Sequence, residues 1–444
     1  MNDQVRDKLP YTFEDLGEQQ VKNIARPVRV YCVRLDAEAR HPSVSEPSTV
    51  PGSPLALPDK PSIAVLAFQN MSGDPEQEYF ADGMVEEIIT ALSRIRWLFV
   101  IARNSSFTYK GRVVDVKQGR TRPQCAILLE GSVRKAGQRI RISAQPIEAA
   151  GGEHLWADRF DGSLEDVFEL QDEVAINVAG VIEPALQLAE TARVAKRPTD
   201  DLRPLFACLF DVFTSARQIP SALQLLEQAI ERDPDYGPAL AWAAVCCVRL
   251  CMDGLSFDLK ADSLKGVDFA RRSLQVASDD PGIFANAALA PAFFGEDIGA
   301  MMTLVDRALS LHPSSARGWY ASACLRHWAG QPELAIEHAE ASLRLSPPAQ
   351  VGFCFTIIGA AHFLSRRFDK AIATLLLAIQ EDLDYPPPCR VLASCYAHMG
   401  RLDEAREIVR RLRAITPLVA QSFSQIRNAD HRELMLSGLR LAER

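Results

Sequence analysis

The sequence predicts two unlike architectures in tandem: an α/β module, then an all-α solenoid of helical repeats. A short β remnant precedes both. Three observations carry this reading. Up to about residue 196, apolar runs of strand length alternate with helical periods. Strand signals stop near Leu205. Beyond it, small residues and prolines recur with a long period, as stacked supersecondary units do.

Residues 1–35 hold two strand-like runs, Val21–Ile24 behind Gly17-Glu18, and Val28–Val33, which alternates apolar and polar. So short a piece cannot bury enough surface to fold alone. It reads as a tail or as the end of a larger domain. Residues 36–60 read as a linker. Pro42, Pro47, Pro51, Pro54 and Pro58, with Pro61 just beyond, fix φ and remove backbone donors.

Residues 61–196 read as the α/β module. Ile63–Phe68 is an apolar run of strand length, and Gly73, Asp74 and Pro75 make the loop after it. Phe80, Met84, Val85, Ile88, Ile89 and Leu92 then recur at helical spacing. Trp97–Ala102 predicts a second buried strand. Leu128–Arg134 and Arg139–Ala144 alternate about Ala136-Gly137, which predicts a hairpin. Ser163-Leu164-Glu165-Asp166 resembles a capping box and opens a helix carrying Val167, Leu170, Val174, Val178, Val181 and Leu186.

Residues 204–437 read as repeats. Ala335, Ser342 and Pro347 are matched by Ala405, Leu412 and Pro417, by Met301, Ala308 and Pro313, and by Ala222, Ala229 and Pro234. Ala371 and Ala378 keep the phase, with Leu383 in place of proline. Met301 to Ala335 and Ala371 to Ala405 are both steps of 34 residues. Small residues let paired helices approach, and the proline ends the second helix. This is the tetratricopeptide arithmetic. Trp319, Gly330, Gly359, Tyr396 and Gly400 fall on that pattern too. It predicts four clear repeats and one degenerate, longer unit between Tyr236 and Pro281.

Composition narrows the function classes. Of 444 residues, 48% are apolar and 24% charged, ordinary for a globular chain. Asp and Glu outnumber Lys and Arg by 57 to 49, which argues against nucleic acid as partner. The longest apolar run, Val351–Leu364, spans 14 residues and contains His362, well short of the roughly 20 a membrane span needs. Met1–Pro10 carries Asp3, Arg6, Asp7 and Lys8 and no apolar core, so it is not a signal peptide. The ten cysteines form no CxxC pair, and Cys246, Cys247 and Cys251 are the tightest group. They read as reduced thiols in a cytoplasmic protein, with no metal and no cofactor expected.

Three resemblances then converge. FEDLGEQQVKNIARPVRVYCV, residues 13–33, resembles the last two strands of a class III adenylate/guanylate cyclase domain. PSIAVLAFQNMSGDPEQEYFADGMVEEIITALSRI, with LLEGSVRK and HLWADRFDGSLEDVFELQDEV, resembles the TolB-like α/β module that follows such domains in soil-bacterial cyclases. The tetratricopeptide tail completes that architecture. The resemblance implies a fold of TolB-like α/β module, tetratricopeptide solenoid and N-terminal cyclase remnant. It also implies that the cyclase metal aspartates, purine-selecting pair and Asn-x-x-x-Arg motif lie upstream of this chain. Asn23-Ile24-Ala25-Arg26 has the wrong spacing for that motif. One segment departs from the family. GRTRPQCAILL, residues 119–129, stands where relatives carry a string resembling VGRELGVRYVL, and Pro123 would break the helix there. Equal length with scrambled identity suggests two compensating frameshifts, a hypothesis that an uninterrupted reading frame with no shifted match would sink.

No phosphate loop and no GxGxxG is present. Ser132-Val133-Arg134-Lys135 matches SxxK, but on an alternating strand, where a solvated face is the simpler reading. Glu337-His338 lacks the second His of HExxH and reads as a helix-surface pair. Asp158, Asp161, Glu165 and Asp166 read as a turn plus helix N-terminal charges, against a cation site. The better candidates come from the repeats, since the first helices of tetratricopeptide units line a peptide groove. Carrying the family's inward positions over gives Arg317, Tyr320, Cys324, His327 and Trp328 in one unit. The next gives Phe353, Thr356, Ala360 and Phe363, and the last gives Arg390, Ser394 and His398. Aromatic rings and guanidinium groups supply hot-spot energy in such grooves. The expectation is a non-catalytic regulatory region of an adenylate cyclase-like protein, with protein or peptide partners on the groove and a cyclase catalytic domain as a further partner. The rival readings are part of a functional adenylate cyclase and a decayed gene product.

Overall fold

A computed structural model of the chain describes residues 12–19, 28–34, 62–74, 76–95, 98–107, 110, 125, 127–137, 139–149, 152, 154, 157–163, 167–194, 218–345, 351–419 and 422–444. The chain divides into two units, Met1–Ala56 and Leu57–Arg444. In the first, β1 (Thr12–Gln19) and β2 (Val28–Arg34) pair antiparallel, with Thr12 opposite Arg34. The register shifts between Asp15 and Glu18, where Gly17 provides the freedom a bulge needs. β2 falls on the predicted run. The first strand lies upstream of the expected Val21–Ile24, a run outside the described residues. Eight residues make a longer ladder against β2 than that four-residue run could.

The second unit opens with β3 (Ser62–Val65), β4 (Gln69–Asn70), helix α1 (Glu76–Ser93), β5 (Phe99–Val100) and helix α2 (Arg103–Ser106). β6 (Ile127–Ala136), β7 (Arg139–Glu148), β8 (Asp158–Ser163) and helix α3 (Val167–Val194) follow. The strand order is β5-β3-β6-β7-β8, with β4 also paired to β6. β3 runs parallel to β5 and β6, while β6, β7 and β8 form an antiparallel meander. The predicted hairpin is present and longer, with ten paired positions turning at Gly137. The two predicted apolar strands are shorter than expected. β3 ends at Val65, and Phe68 turns into the core. Of the described residues of Trp97–Ala102, Phe99–Val100 joins the sheet, and Trp97 lies outside the described residues.

The sheet core is aliphatic, with Ile63, Val65, Met84, Ile88, Leu92, Ile142 and Val178 buried between the sheet, α1 and α3. Of residues 119–129, positions 119–124 and 126 lie outside the described residues. Ile127, Leu128 and Leu129 are buried on β6 between β3 and β7. Asp158 and Asp161 lie on edge strand β8 rather than in a turn, and Asp161 accepts Arg141 Nε at 2.6 Å. Glu165 and Asp166 lie outside the described residues. On β6, Lys135 of the SxxK string faces Asp74 at 3.5 Å.

Among the described residues, helix α4 (Ile219–Arg232) is the first of the repeat region, and five helical hairpins then stack. Their first helices are α5 (Gly237–Asp253), the broken pair α7 (Pro281–Ala287) and α8 (Leu289–Phe293), α10 (Ala316–Trp328), α12 (Val351–Leu364) and α14 (Pro386–His398). Their second helices are α6 (Leu259–Val276), α9 (Ile298–Leu311), α11 (Pro332–Leu345), α13 (Phe368–Glu381) and α15 (Leu402–Ile415). Helix α16 (Ala429–Ala442) follows the last hairpin. The small residues read from the sequence sit at the helix contacts: Ala335, Ala371, Ala378 and Ala405 are fully buried. The span from Tyr236 to Pro281, expected as a degenerate unit, holds the α5/α6 hairpin. The break between α7 and α8 comes four residues before Pro291, whose ring clashes with that turn and which has no N–H to bond it. Asp258, Asp280, Asp297, Ser315 and Asn428 cap five of these helices through their side chains. Each such cap is worth about 1 kcal/mol.

The sheet module and the repeats touch along α3. A Cβ at Gly180 would meet Leu345 at 2.6 Å, and Glu183 lies 3.8 Å from His312 Nε2. Burial and the Arg94 charge nevertheless push His312 down to about 4, so it is neutral there. Among the described residues, no helix is long and apolar enough to cross a membrane.

Candidate functional site: the face shared by the first helices

The first helices bring together a polar cluster that no single helix could bury. On apolar α5, Arg249 and Asp253 stand one turn apart with side chains 7% and 0% exposed. Arg249 Nε donates to Asp253 Oδ2 at 3.0 Å. The same guanidinium lies 4.8 Å from the Phe353 ring centre and 5.0 Å from that of Tyr385. Burial raises the Asp253 carboxyl pKa, against the pull of Arg249 and Arg390. Arg317 on α10 donates to Asn286 Oδ1 at 2.7 Å and stacks over Trp242 and Tyr320 at 4.8 and 5.0 Å. Burial lowers its pKa below the usual guanidinium value. Guanidinium over ring faces is a cation–π arrangement, strongest where water is excluded.

Arg390 of α14 is 2% exposed and binds main-chain oxygens. It donates to Met252 O at 2.8 Å and Asp253 O at 3.4 Å, at the C-terminal end of α5. It also donates to Leu418 O at 2.8 Å and Val419 O at 3.1 Å. Helix C-termini carry partial negative charge, so the cation suits that place. Burial pushes Arg390 down to about 10, against the favourable Asp253 charge.

The segment after α15 crosses this face. Thr416 Oγ1 donates to Gly254 O at 3.1 Å. Gly254 has φ +79°, and a Cβ there would meet Thr416 Oγ1 at 2.6 Å, so glycine is required on both counts. Val419, Phe423 and Ile426 are buried. The Arg427 amide donates to Trp328 O at 2.8 Å, and its Nη2 donates to Ala292 O at 2.5 Å and Glu296 O at 3.0 Å. Helix α16 then packs on α14. Ser394 Oγ donates to Met435 O at 3.2 Å, and His398 Nε2 lies 2.8 Å from Leu434 O. A Cβ at Gly438 would meet Ser394 Cβ at 2.6 Å, so only glycine permits that approach.

These placements correct the expectation of an open groove. Tyr320, His327, Trp328, Arg390 and Ser394 are buried, and Arg317 and His398 are partly so. Arg317, Tyr320 and Arg390 join the polar cluster. His327, Trp328, Ser394 and His398 instead meet the chain's own C-terminal region. Burial and the nearby His431 push His327 down to about 4. Cys324, Thr356, Ala360 and Phe363 are buried too. Phe353 is the ring beneath Arg249. His338 is not a bare surface residue, because its Nδ1 lies 2.9 Å from Ser322 Oγ and its ring meets Trp319 edge-on. The sequence reading missed Arg249, Asp253, Asn286 and Arg427. The Arg249–Asp253 pair had a signal: two opposite charges four apart in an otherwise apolar helix.

Burial raises Cys247, Cys324 and Cys395 to about 12 and Cys251, Cys354 and Cys389 to about 11, so these thiols stay protonated. Among the described residues, no group of three or more His, Cys, Asp or Glu is placed to hold a metal.

Residues 362–422 match the tetratricopeptide repeat family model. A protein of Rhizobium meliloti (strain 1021) named "Putative adenylate cyclase 3" is 41% identical over 259 residues, covering 56% of this chain and 42% of that protein. The chain therefore spans well under half the length of the curated relative it matches. Among solved structures, human IFIT1 bound to PPP-AAAA is 18% identical over 56% of this chain and 61% of that one, with a TM-score of 0.41. YrrB, described as a TPR protein with an unusual peptide-binding site, is 14% identical over 45% of this chain and 95% of that one, with a TM-score of 0.28.

Proposed function

We propose that this chain is the regulatory, protein-interaction region of an adenylate cyclase-like signalling protein, without catalysis of its own. Its repeats dock protein or peptide partners, and the α/β module, TolB-like in its sequence strings, acts as spacer or sensor. The observation that carries this is the tetratricopeptide match at residues 362–422, lying within the five described hairpins. Stacked hairpins present extended surfaces built for partner binding. The 41% identity to a protein named as an adenylate cyclase supports the signalling context. The location proposed is the cytoplasm.

The second reading, part of a working cyclase that makes cyclic AMP from ATP, is favoured by the 42% coverage of that relative. Its metal and charge clamps would lie on another segment or chain. An immunoblot of the cells that make the protein, with an antibody to the repeats, separates the two. The purified band is then assayed for cyclic AMP synthesis. A band near 49 kDa without synthesis supports the interaction region. A band heavier by a domain, with synthesis, replaces it with the enzyme.

A further inference from the structure

We propose that residues 416–419 and 422–428 are a resident ligand of the repeats, and that the seat they fill takes a partner peptide of the same chemistry. That peptide is a non-helical segment carrying a branched apolar residue, an aromatic residue four positions on, a second branched apolar residue three further, and a basic residue next. The proposal rests on the reading of the repeats as a partner-docking surface.

Several observations carry it. The seat grips its occupant mainly through backbone groups. Arg390 takes the Leu418 and Val419 carbonyls, and the Trp328 carbonyl takes the Arg427 amide. Such contacts do not depend on the occupant's side chains, so another chain can make them. Selectivity then lies in buried Val419, Phe423 and Ile426 and in the Arg427 guanidinium on the Ala292 and Glu296 carbonyls. The occupant is also strained. Phe423 has φ +51° while only 7% exposed, a conformation costly for a bulky side chain. Finally, the segment starts beside an open cleft of about 580 Å³, lined by Gly254, Phe257, Leu259, Lys260, Pro417 and Leu418. Phe257 and Leu259 are exposed there, at 107% and 56%. An incoming apolar residue has a foothold at that cleft before the resident segment leaves.

The test uses the full chain and a fluorescein-labelled peptide of sequence TPLVAQSFSQIRN, residues 416–428. Arg427→Ala removes the resident segment's guanidinium bonds to the Ala292 and Glu296 carbonyls, keeps its amide bond to Trp328 and leaves the seat intact. The labelled peptide is expected to bind the variant at least tenfold more tightly than the unaltered chain, by fluorescence anisotropy. A peptide with alanine at the Phe423 and Arg427 positions is expected to bind neither. Hydrogen exchange is expected to quicken across 416–428 in the variant and to leave α14 unchanged. If Arg427→Ala loses its helical circular dichroism, Thr416→Val, which removes the hydroxyl's bonds to the Gly254 carbonyl and the Leu418 amide, is read the same way. The proposal is overturned if the segment's amides quicken and the peptide still does not bind. It is overturned equally if those amides exchange only with α14, which would make the segment plain core. Dimers with exchanged segments, seen by sedimentation, would assign the seat to a second copy instead. None of these failures removes partner docking elsewhere on the repeats, which is judged by the size and activity of the native protein.

Discussion

The sheet module and the repeats solve burial in opposite ways. Among the described residues, every buried Arg, Asp and His lies in the repeats. The sheet module seals itself with aliphatic side chains, because its strands satisfy their polar groups laterally in the ladder. A repeat hairpin touches mainly its neighbours. Contacts between distant units need groups that reach main-chain carbonyls on several elements at once, and a guanidinium with five donors does so. Arg390 joins α14 to the end of α5 across 138 residues of sequence, and Arg427 reaches the second hairpin across 135. Charge in this interior is a fastening between remote turns, whereas in the sheet it would only be a cost.

The sharpest way to break the contrast is Asp253→Ala. It strands Arg249 in an apolar interior and is expected to cost about 3–5 kcal/mol in urea unfolding. Ile142→Val, its counterpart in the sheet, is expected to cost about 1 kcal/mol. Equal effects would refute the distinction. Next comes pH. His312 and His327 are held neutral, each at about 4 against 6.5 when unfolded. The unfolded chain binds more protons between those values, so stability is full above pH 6.5 and falls as pH drops toward 4. Roughly 3 kcal/mol per imidazole is at stake, at about 1.4 kcal/mol per unit. Thermal melts should show that slope, and His327→Phe should remove its own share.

Arg390→Met is expected to cost about 2 kcal/mol by freeing four carbonyls. Its signature is faster hydrogen exchange at the end of α5, far from the substituted helix. The smallest effect is Asp297→Ala, the cap of α9, at about 1 kcal/mol in the same urea series. That change should leave exchange in α5 untouched.

Much of this architecture was legible because its causes are local. The alanines at 335, 371, 378 and 405 sit where helices touch, so the 34-residue steps from Met301 to Ala335 and from Ala371 to Ala405 survive in the sequence. The β6–β7 hairpin is announced by alternation about Gly137. Arg317, Tyr320 and Arg390 were named through the tetratricopeptide resemblance rather than through any pattern of their own, and they stand in the buried cluster of the first helices. What occupies the face was not legible. Thr416 meets Gly254 across 162 residues, and no period or propensity encodes such a meeting. The split of the second hairpin's first helix needed only Pro291, a breaker that the repeat rhythm concealed.

The Arg390 contacts bear finally on how the repeats respond to force. A stack joined only between neighbours stretches like a spring, with each interface yielding a little. Here α5 and α14 are clasped, so a pull applied between them loads a few guanidinium hydrogen bonds first. Such a chain behaves as a closed bracelet: stiff until the clasp parts, and compliant afterwards.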